Sequence, residues 1–198
     1  ATNSLSLNSG TISDNITGIP NNATLTLSSP GASGSLGANK AIVIDTTPPT
    51  VDNVSSSTAD GNYYTDDNIT ITVSFSENVI VDNSSGNPRI QLETGSTDQY
   101  ATYASGNSST VLSFLYTVQS NDYSSDLDYK ATDSLSVNGG AIQDNASNDA
   151  TLTLASPGAT NSLGSNKALV VGGWRQQSYI KAANNDASDK FGVSISIS

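Results

Sequence analysis

No cysteine, methionine or histidine occurs among the 198 residues, and the single tryptophan is Trp174. Without Cys there is no disulfide framework, zinc thiolate or thiol nucleophile, and without His the commonest general base and metal-binding imidazole are missing. Charge is scarce and one-signed: 18 acidic residues against 7 basic ones give a net charge of -11. So few Lys and Arg exclude tight binding to a phosphate backbone, and nucleic acid is not an expected partner. Glutamate is nearly absent too, with Glu77 and Glu93 beside 16 aspartates, the shorter, turn-favouring carboxylate. No apolar run approaches the roughly 20 residues of a membrane span, and the N-terminal stretch lacks the basic-then-apolar order of a signal peptide.

Serine is abundant, yet no Ser-X-X-Lys or Gly-X-Ser-X-Gly arrangement accompanies it. Glu77 and Glu93 are expected at separate strand ends, which does not make a catalytic carboxylate pair. The chain is therefore read as having no enzymatic activity. Seven Asn-X-Ser/Thr sequons follow from the Asn, Ser and Thr content itself.

The dominant feature is a duplication. ATNSLSLNSGTISDN at 1–15 returns as ATDSLSVNGGAIQDN at 131–145, identical at 10 of 15 positions. NATLTLSSPGASGSLGANKAIVI at 22–44 returns as DATLTLASPGATNSLGSNKALVV at 149–171, identical at 16 of 23. An offset of about 130 residues is the length of one domain and far exceeds a solenoid repeat. Residues 1–46 thus read as the C-terminal strands of a preceding repeat, 47–171 as a complete repeat, and 172–198 as a segment that departs from the array. The Pro48-Pro49 pair at the boundary suits a short, semi-rigid link.

Within the complete repeat, NITITVSF alternates so that Ile69, Ile71, Val73 and Phe75 face inward. VIV at 79–81, RIQLE at 89–93 and YATY at 100–103 continue the strand pattern, and VLSFLYTV at 111–118, apolar on both faces, predicts a central, well-covered strand. Seven to nine short strands with turn signals between them, and no helical period, predict an all-β fold. Its expected form is an immunoglobulin-like antiparallel β-sandwich repeated in tandem, with a closed barrel as the alternative.

DGNYYTDDNITITVSFSENVIV, PRIQLETG, ATYASGNSSTVLSFLYTV, SSDLDYKATDSLSVNGGAIQDN and ATLTLASPGA together resemble the bacterial immunoglobulin-like repeats of very large secreted or cell-surface proteins. The resemblance covers 47–171 and again 1–46. It implies an extracellular or cell-surface location and a stalk or adhesin component. WRQQSYIKAANNDASDKFGVSISIS at the C-terminus resembles the opening of an FG-GAP repeat, the blade unit of integrin-type propellers, through Asp189, Phe191 and Gly192. The acidic calcium loop of that family is absent.

Aspartate-rich loops suggest calcium, a hard cation that takes clustered carboxylate and carbonyl oxygens. In a sandwich, ADGNYYTDD and NDYSSDLDY fall at one pole and gather Asp60, Asp66, Asp67, Asp122, Asp126 and Asp128. SEN, QDN and the linker place Glu77, Asp144, Asn145 and Asp45 at the other. No EF-hand spacing is present, and the competing reading is that these are turn and solubility residues. Glu77 beside Lys130 or Lys167 also admits an isopeptide cross-link. Tyr63, Tyr64, Tyr100, Tyr103 and Tyr123 admit glycan stacking on a cell-surface ligand, against the commoner role of strand packing. Two functions fit this pattern. One is a stalk or spacer whose partners are neighbouring repeats of the same chain, and the other is a subunit of an extracellular filament in which identical chains exchange strands.

Overall fold

The computed structural model describes residues 2–172; Trp174, Arg175 and the rest of the stretch resembling an FG-GAP blade lie outside the described residues. The chain divides into two compact units, the first ending at Thr46 and the second beginning at Thr47.

The second unit is all-β, built on one curled, mainly antiparallel sheet. Its elements are β1 (Val51–Ser56), β2 (Gly61–Tyr63), β3 (Asn68–Asp82), β4 (Arg89–Leu92), β5 (Gln99–Ser105), β6 (Ser109–Thr117), β7 (Leu135–Ser136), β8 (Ala141–Gln143), a one-turn helix α2 (Leu163–Asn166) and β9 (Leu169–Val171). The sheet runs β1-β3-β6-β5-β4-β7, and β8 pairs with the far half of β3. A separate parallel ladder joins β2 to β9, with Tyr63 opposite Val171.

β3 organises the core, and its alternation works as its sequence predicts: Ile69, Ile71, Val73 and Phe75 are buried while Thr70, Thr72 and Ser74 turn toward the other face. The expected break at SEN does not occur. NITITVSF and VIV are one 15-residue strand, and its register against β6 shifts between Ser74 and Val79. That bulge bends the strand, so its first half pairs with β1 and β6 and its end, Ile80–Asp82, pairs with β8. Bending one strand across two partners curls the sheet around its own apolar face.

β6 is central, between β3 and β5, and buries Leu112, Phe114 and Tyr116. The expectation that both its faces are covered is corrected, because Val111 and Leu115 are exposed on the outer face. The duplicated block contributes β7, β8, α2 and β9 to the same core, burying Leu135, Ile142, Leu154, Leu163, Leu169 and Val171. Helix was not expected, but LGSN at 163–166 makes one turn, capped by Ser162, whose hydroxyl accepts from the Ser165 N–H. Serine N-caps compete well for a free backbone donor where hydrophobic periodicity is too short to register.

The first unit has the matching helix α1 (Leu36–Asn39), capped in the same way by Ser35 toward the Ala38 N–H. Further local bonds recur. Ala23 N–H donates to the Ile12 carbonyl at 2.8 Å, as Ala150 N–H does to that of Ile142 at 2.9 Å. What differs is burial. Leu36, Ile42 and Ile44 are 68%, 62% and 85% exposed, whereas their counterparts Leu163, Leu169 and Val171 are 0% exposed. The two copies carry the same turns, and in the second unit the apolar side chains of the block join those of β1, β3, β4, β5 and β6 in one core.

Candidate functional site

Glu77 and Asp144 are 67 residues apart in sequence, yet the bulge in β3 and the turn after β8 bring their carboxylate oxygens within 4.8 Å of one another. Glu77 sits in mid-strand and not at a strand end, because the SEN segment is the bend of β3. Asp144 is buried at the head of a tight loop. Its Oδ1 accepts from the Ala146 N–H at 2.7 Å and the Asn148 N–H at 2.9 Å, and its Oδ2 from Asn148 Nδ2 at 2.7 Å. Burial alone would raise its pKa, but these N–H donors outweigh burial and leave it below the ordinary carboxylate value.

The same latch occurs in the first unit, where Asp14 accepts from the Asn21 N–H at 2.9 Å and from Asn21 Nδ2 at 2.8 Å. It survives a three-residue length difference between the two loops. Loop closure is thus one role of this aspartate in both copies, and the approach of Glu77 is particular to the second unit. Asn145 is exposed next to Asp144. Asp45 belongs to the first unit.

The aspartates of the other expected cluster are dispersed in function. Their loops do lie together, since β9 is flanked by β2 on one side and by Ser124 and Leu127 on the other. Gly172 ends β9 at a φ of 85°, with the Asp122 carbonyl so near that any Cβ would sit 2.3 Å from it, which requires glycine there. The side chains, however, have separate tasks. Asp122 is buried and accepts from Tyr116 Oη at 2.6 Å, from the Gln119 N–H at 2.7 Å and from Gln99 Nε2 at 3.1 Å. Asp60 pairs with Lys167 at 3.0 Å and caps the Ala168 N–H, and the Lys167 ammonium is the main cause of its lowered pKa. Asp67 accepts from the Tyr64 N–H, and Asp66 takes a left-handed turn conformation. Asp126 is exposed. Among the described residues, Asp60, Asp122, Asp126 and Asp128 do not form a group of three carboxylates within reach of one ion.

Asp128 and its neighbour Tyr129 make the contact that sequence reading missed. Asp128 Oδ2 accepts from the Gly158 N–H at 2.9 Å and Oδ1 from the Tyr129 N–H at 2.8 Å. Tyr129 is buried and donates its hydroxyl proton to the Ala155 carbonyl at 2.6 Å. Burial, with the Asp128 charge adding to it, pushes the Tyr129 pKa up to about 12. Gly164 lies against the Asp128 carboxylate, where an added Cβ would be 3.0 Å from Oδ2. The SPGA and SLG runs of the duplicated block thus form a socket, and Asp128-Tyr129 is the key. The signal for it was the glycine spacing, which the duplication had already marked.

Lys130 is ion-paired with Asp98, and Lys167 with Asp60. The tyrosines named for glycan stacking are divided among several tasks. Tyr103 packs edge-on against Phe114 at 6.0 Å, Tyr63 donates to the Ala59 carbonyl, and Tyr100 lies under the Arg89 guanidinium at 4.1 Å. Tyr123 is exposed. No helix among the described residues is long and apolar enough to cross a membrane. No family model, curated protein or solved structure matches the chain.

Proposed function

We propose that this chain is a segment of a tandem array of immunoglobulin-like β-sandwich repeats serving as an extracellular stalk or spacer, with neighbouring repeats as its principal partners. One observation carries this reading. The duplicated block, which marks the array in sequence, completes the core of the second unit by supplying β7, β8, α2 and β9 to strands found once per repeat. A repeat that closes its own core and recurs at a domain-length period suits an extended, modular role. An acidic, cation-poor surface keeps such an array soluble and its neighbours apart.

Calcium fits this reading at the bend of β3. Glu77 and Asp144 are the carboxylates that the second unit brings together, and Asp144 is held ionised by its loop. Electron microscopy of a chain carrying several successive copies of 47–171 tests the spacer reading. Contour length should grow by one domain length per added copy. A compact particle whose longest dimension does not grow with copy number would reject it.

A further inference from the structure

A pull along an array enters the second unit at Thr50 and leaves it at Gly172, and the fold sets these two points at opposite ends. At the entry, the Thr50 N–H donates to Ser76 Oγ at 3.0 Å, the Ser76 N–H donates back to the Thr50 carbonyl at 2.9 Å, and the Thr151 N–H donates to the Pro49 carbonyl at 2.8 Å. At the exit, the Gly172 N–H donates to the Tyr63 carbonyl at 2.8 Å, and Gly172 lies against the Asp122 carbonyl in the turn after β6. β6 approaches that turn antiparallel to β3, with Thr117 opposite Asn68. The exit is therefore at the Asn68 end of β3 and the entry at its Ser76 end, about 26 Å apart at roughly 3.3 Å per residue.

Chain direction decides how the bonds between these points are loaded. β1 runs from the entry end toward the exit end, with Val51 opposite Phe75 and Ser56 opposite Ile71. β2 follows it in the chain and lies parallel to β9, with Gly61 opposite Leu169 and Tyr63 opposite Val171. A pull thus takes β2 by its first residue, through β1, and takes β9 by its last. Parallel strands drawn from opposite ends must slide along each other, which strains every bond that crosses between them at once. Strands drawn from the same end open one bond at a time.

β9 is held on its other edge as well. Ser124 and Val171 exchange N–H bonds to each other's carbonyls at 3.0 and 2.8 Å, and the Leu127 N–H donates to the Leu169 carbonyl at 2.8 Å. Just ahead of the two parallel strands, Asp60 and Lys167 form an ion pair at 3.0 Å, and the Gly61 N–H donates to the Ala168 carbonyl at 3.0 Å. Leu169 and Val171 are fully buried, so sliding also strips apolar contact from the core. β4, β5 and β7 lie off this line.

We propose that the β2–β9 ladder is a mechanical clamp that joins the first and last strands of the repeat directly and lets it bear tension by shear. The inference rests on the array reading, in which tension passes through each repeat from end to end.

The test is single-molecule force spectroscopy on the full chain at one pulling speed. The chain has no cysteine, so an introduced one is a unique handle. In one arm the chain is pulled by its two ends, and unfolding of 51–171 should release about 400 Å. In the other, the pull runs between the C-terminal end and Ser120→Cys, an exposed position in the turn beside the exit, which peels β9 from its Gly172 end. The end-to-end unfolding force should be at least about twice the peeling force. Val170→Pro, which removes a backbone donor from the middle of β9, should lower the end-to-end force by about a third or more. Leu135→Ala, a cavity at β7, should lower the melting temperature and leave that force within about a tenth of the parent. Equal forces in the two pulls, or a loss from Leu135→Ala as large as that from Val170→Pro, would overturn the proposal. Should Val170→Pro fail to fold by circular dichroism, the two pulls on the parent sequence decide. Bead spacing is measured without load, so a repeat that parts at low force can still space an array, and the spacer reading stands or falls separately.

Discussion

Tyr116 and Asp122 are joined by a buried hydrogen bond of 2.6 Å, phenol to carboxylate, six residues apart across the turn that follows β6. Asp122 also accepts the Gln119 N–H and a Gln99 amide hydrogen, so one carboxylate ties β6, its turn and β5 together. Tyr116→Phe removes one donor and should cost about 1–2 kcal/mol, and Asp122→Ala, which strands three donors, about 2–4 kcal/mol. Chemical denaturation of both variants checks the order. Equal, negligible losses would mean that the turn is held by its backbone alone.

The two copies of the duplicated block offer an internal control. Leu163→Ala opens a cavity in a closed core and should lower stability by about 2–5 kcal/mol. The same change at its exposed counterpart, Leu36→Ala, should leave the transition of the second unit within about 0.5 kcal/mol of the parent. Thermal melts of the two variants side by side measure this.

Acid and alkali should act through different residues. Asp144 and Asp60 have folded pKa values below their unfolded ones, so their contribution is present above about pH 4 and is lost as pH falls through the folded values. Asp144→Asn should therefore flatten the acid limb of the stability profile. Tyr129 runs the other way, since a folded pKa of about 12 means its contribution is intact below the unfolded value near 10 and disappears as pH rises between the two. Tyr129→Phe should reduce the alkaline loss without abolishing it, because burial and the Asp122 carboxylate also hold the Tyr116 pKa above its ordinary value, as urea midpoints across pH would record.

Calcium should raise the melting temperature of the second unit at concentrations of about 0.1–1 mM, the range of extracellular modules. Glu77→Gln together with Asp144→Asn should erase the difference between calcium and chelator, and Asp126→Ala should not. Calorimetric curves that coincide in calcium and chelator would leave Asp144 as a loop latch only.

Periodicity carried much of the fold. The inward set of β3 was legible because strict alternation has one physical reading, a strand with one wet face. The bend at Glu77 was not, because Ser76, Glu77 and Asn78 are turn-forming types that a bulge tolerates equally well. Apolar Val111 and Leu115 looked like buried residues, yet pattern alone does not say whether a second layer covers them. Glu77 and Asp144 were assigned to one pole from chain order, while the roles of Asp122 and Asp128 depend on Tyr116 and Gly158, partners that only the folded chain supplies.

Asn166, at the end of α2, donates its side-chain amide to the Val54 carbonyl at 2.8 Å and to Asn53 Oδ1 at 2.7 Å, and Val54 N–H donates to the Asn161 carbonyl. β1 is the outermost strand of its sheet, the edge along which a neighbour of nearly identical sequence could zip on. An amide has two hydrogens and no strand direction, so it satisfies that edge without extending the ladder. Tandem repeats hold identical sequences at very high local concentration, where edge-to-edge mispairing is the chief hazard of β-rich chains. Asn166 therefore occupies the β1 edge at Val54, and in the array proposed above it would act as a stop that keeps neighbouring repeats from pairing there.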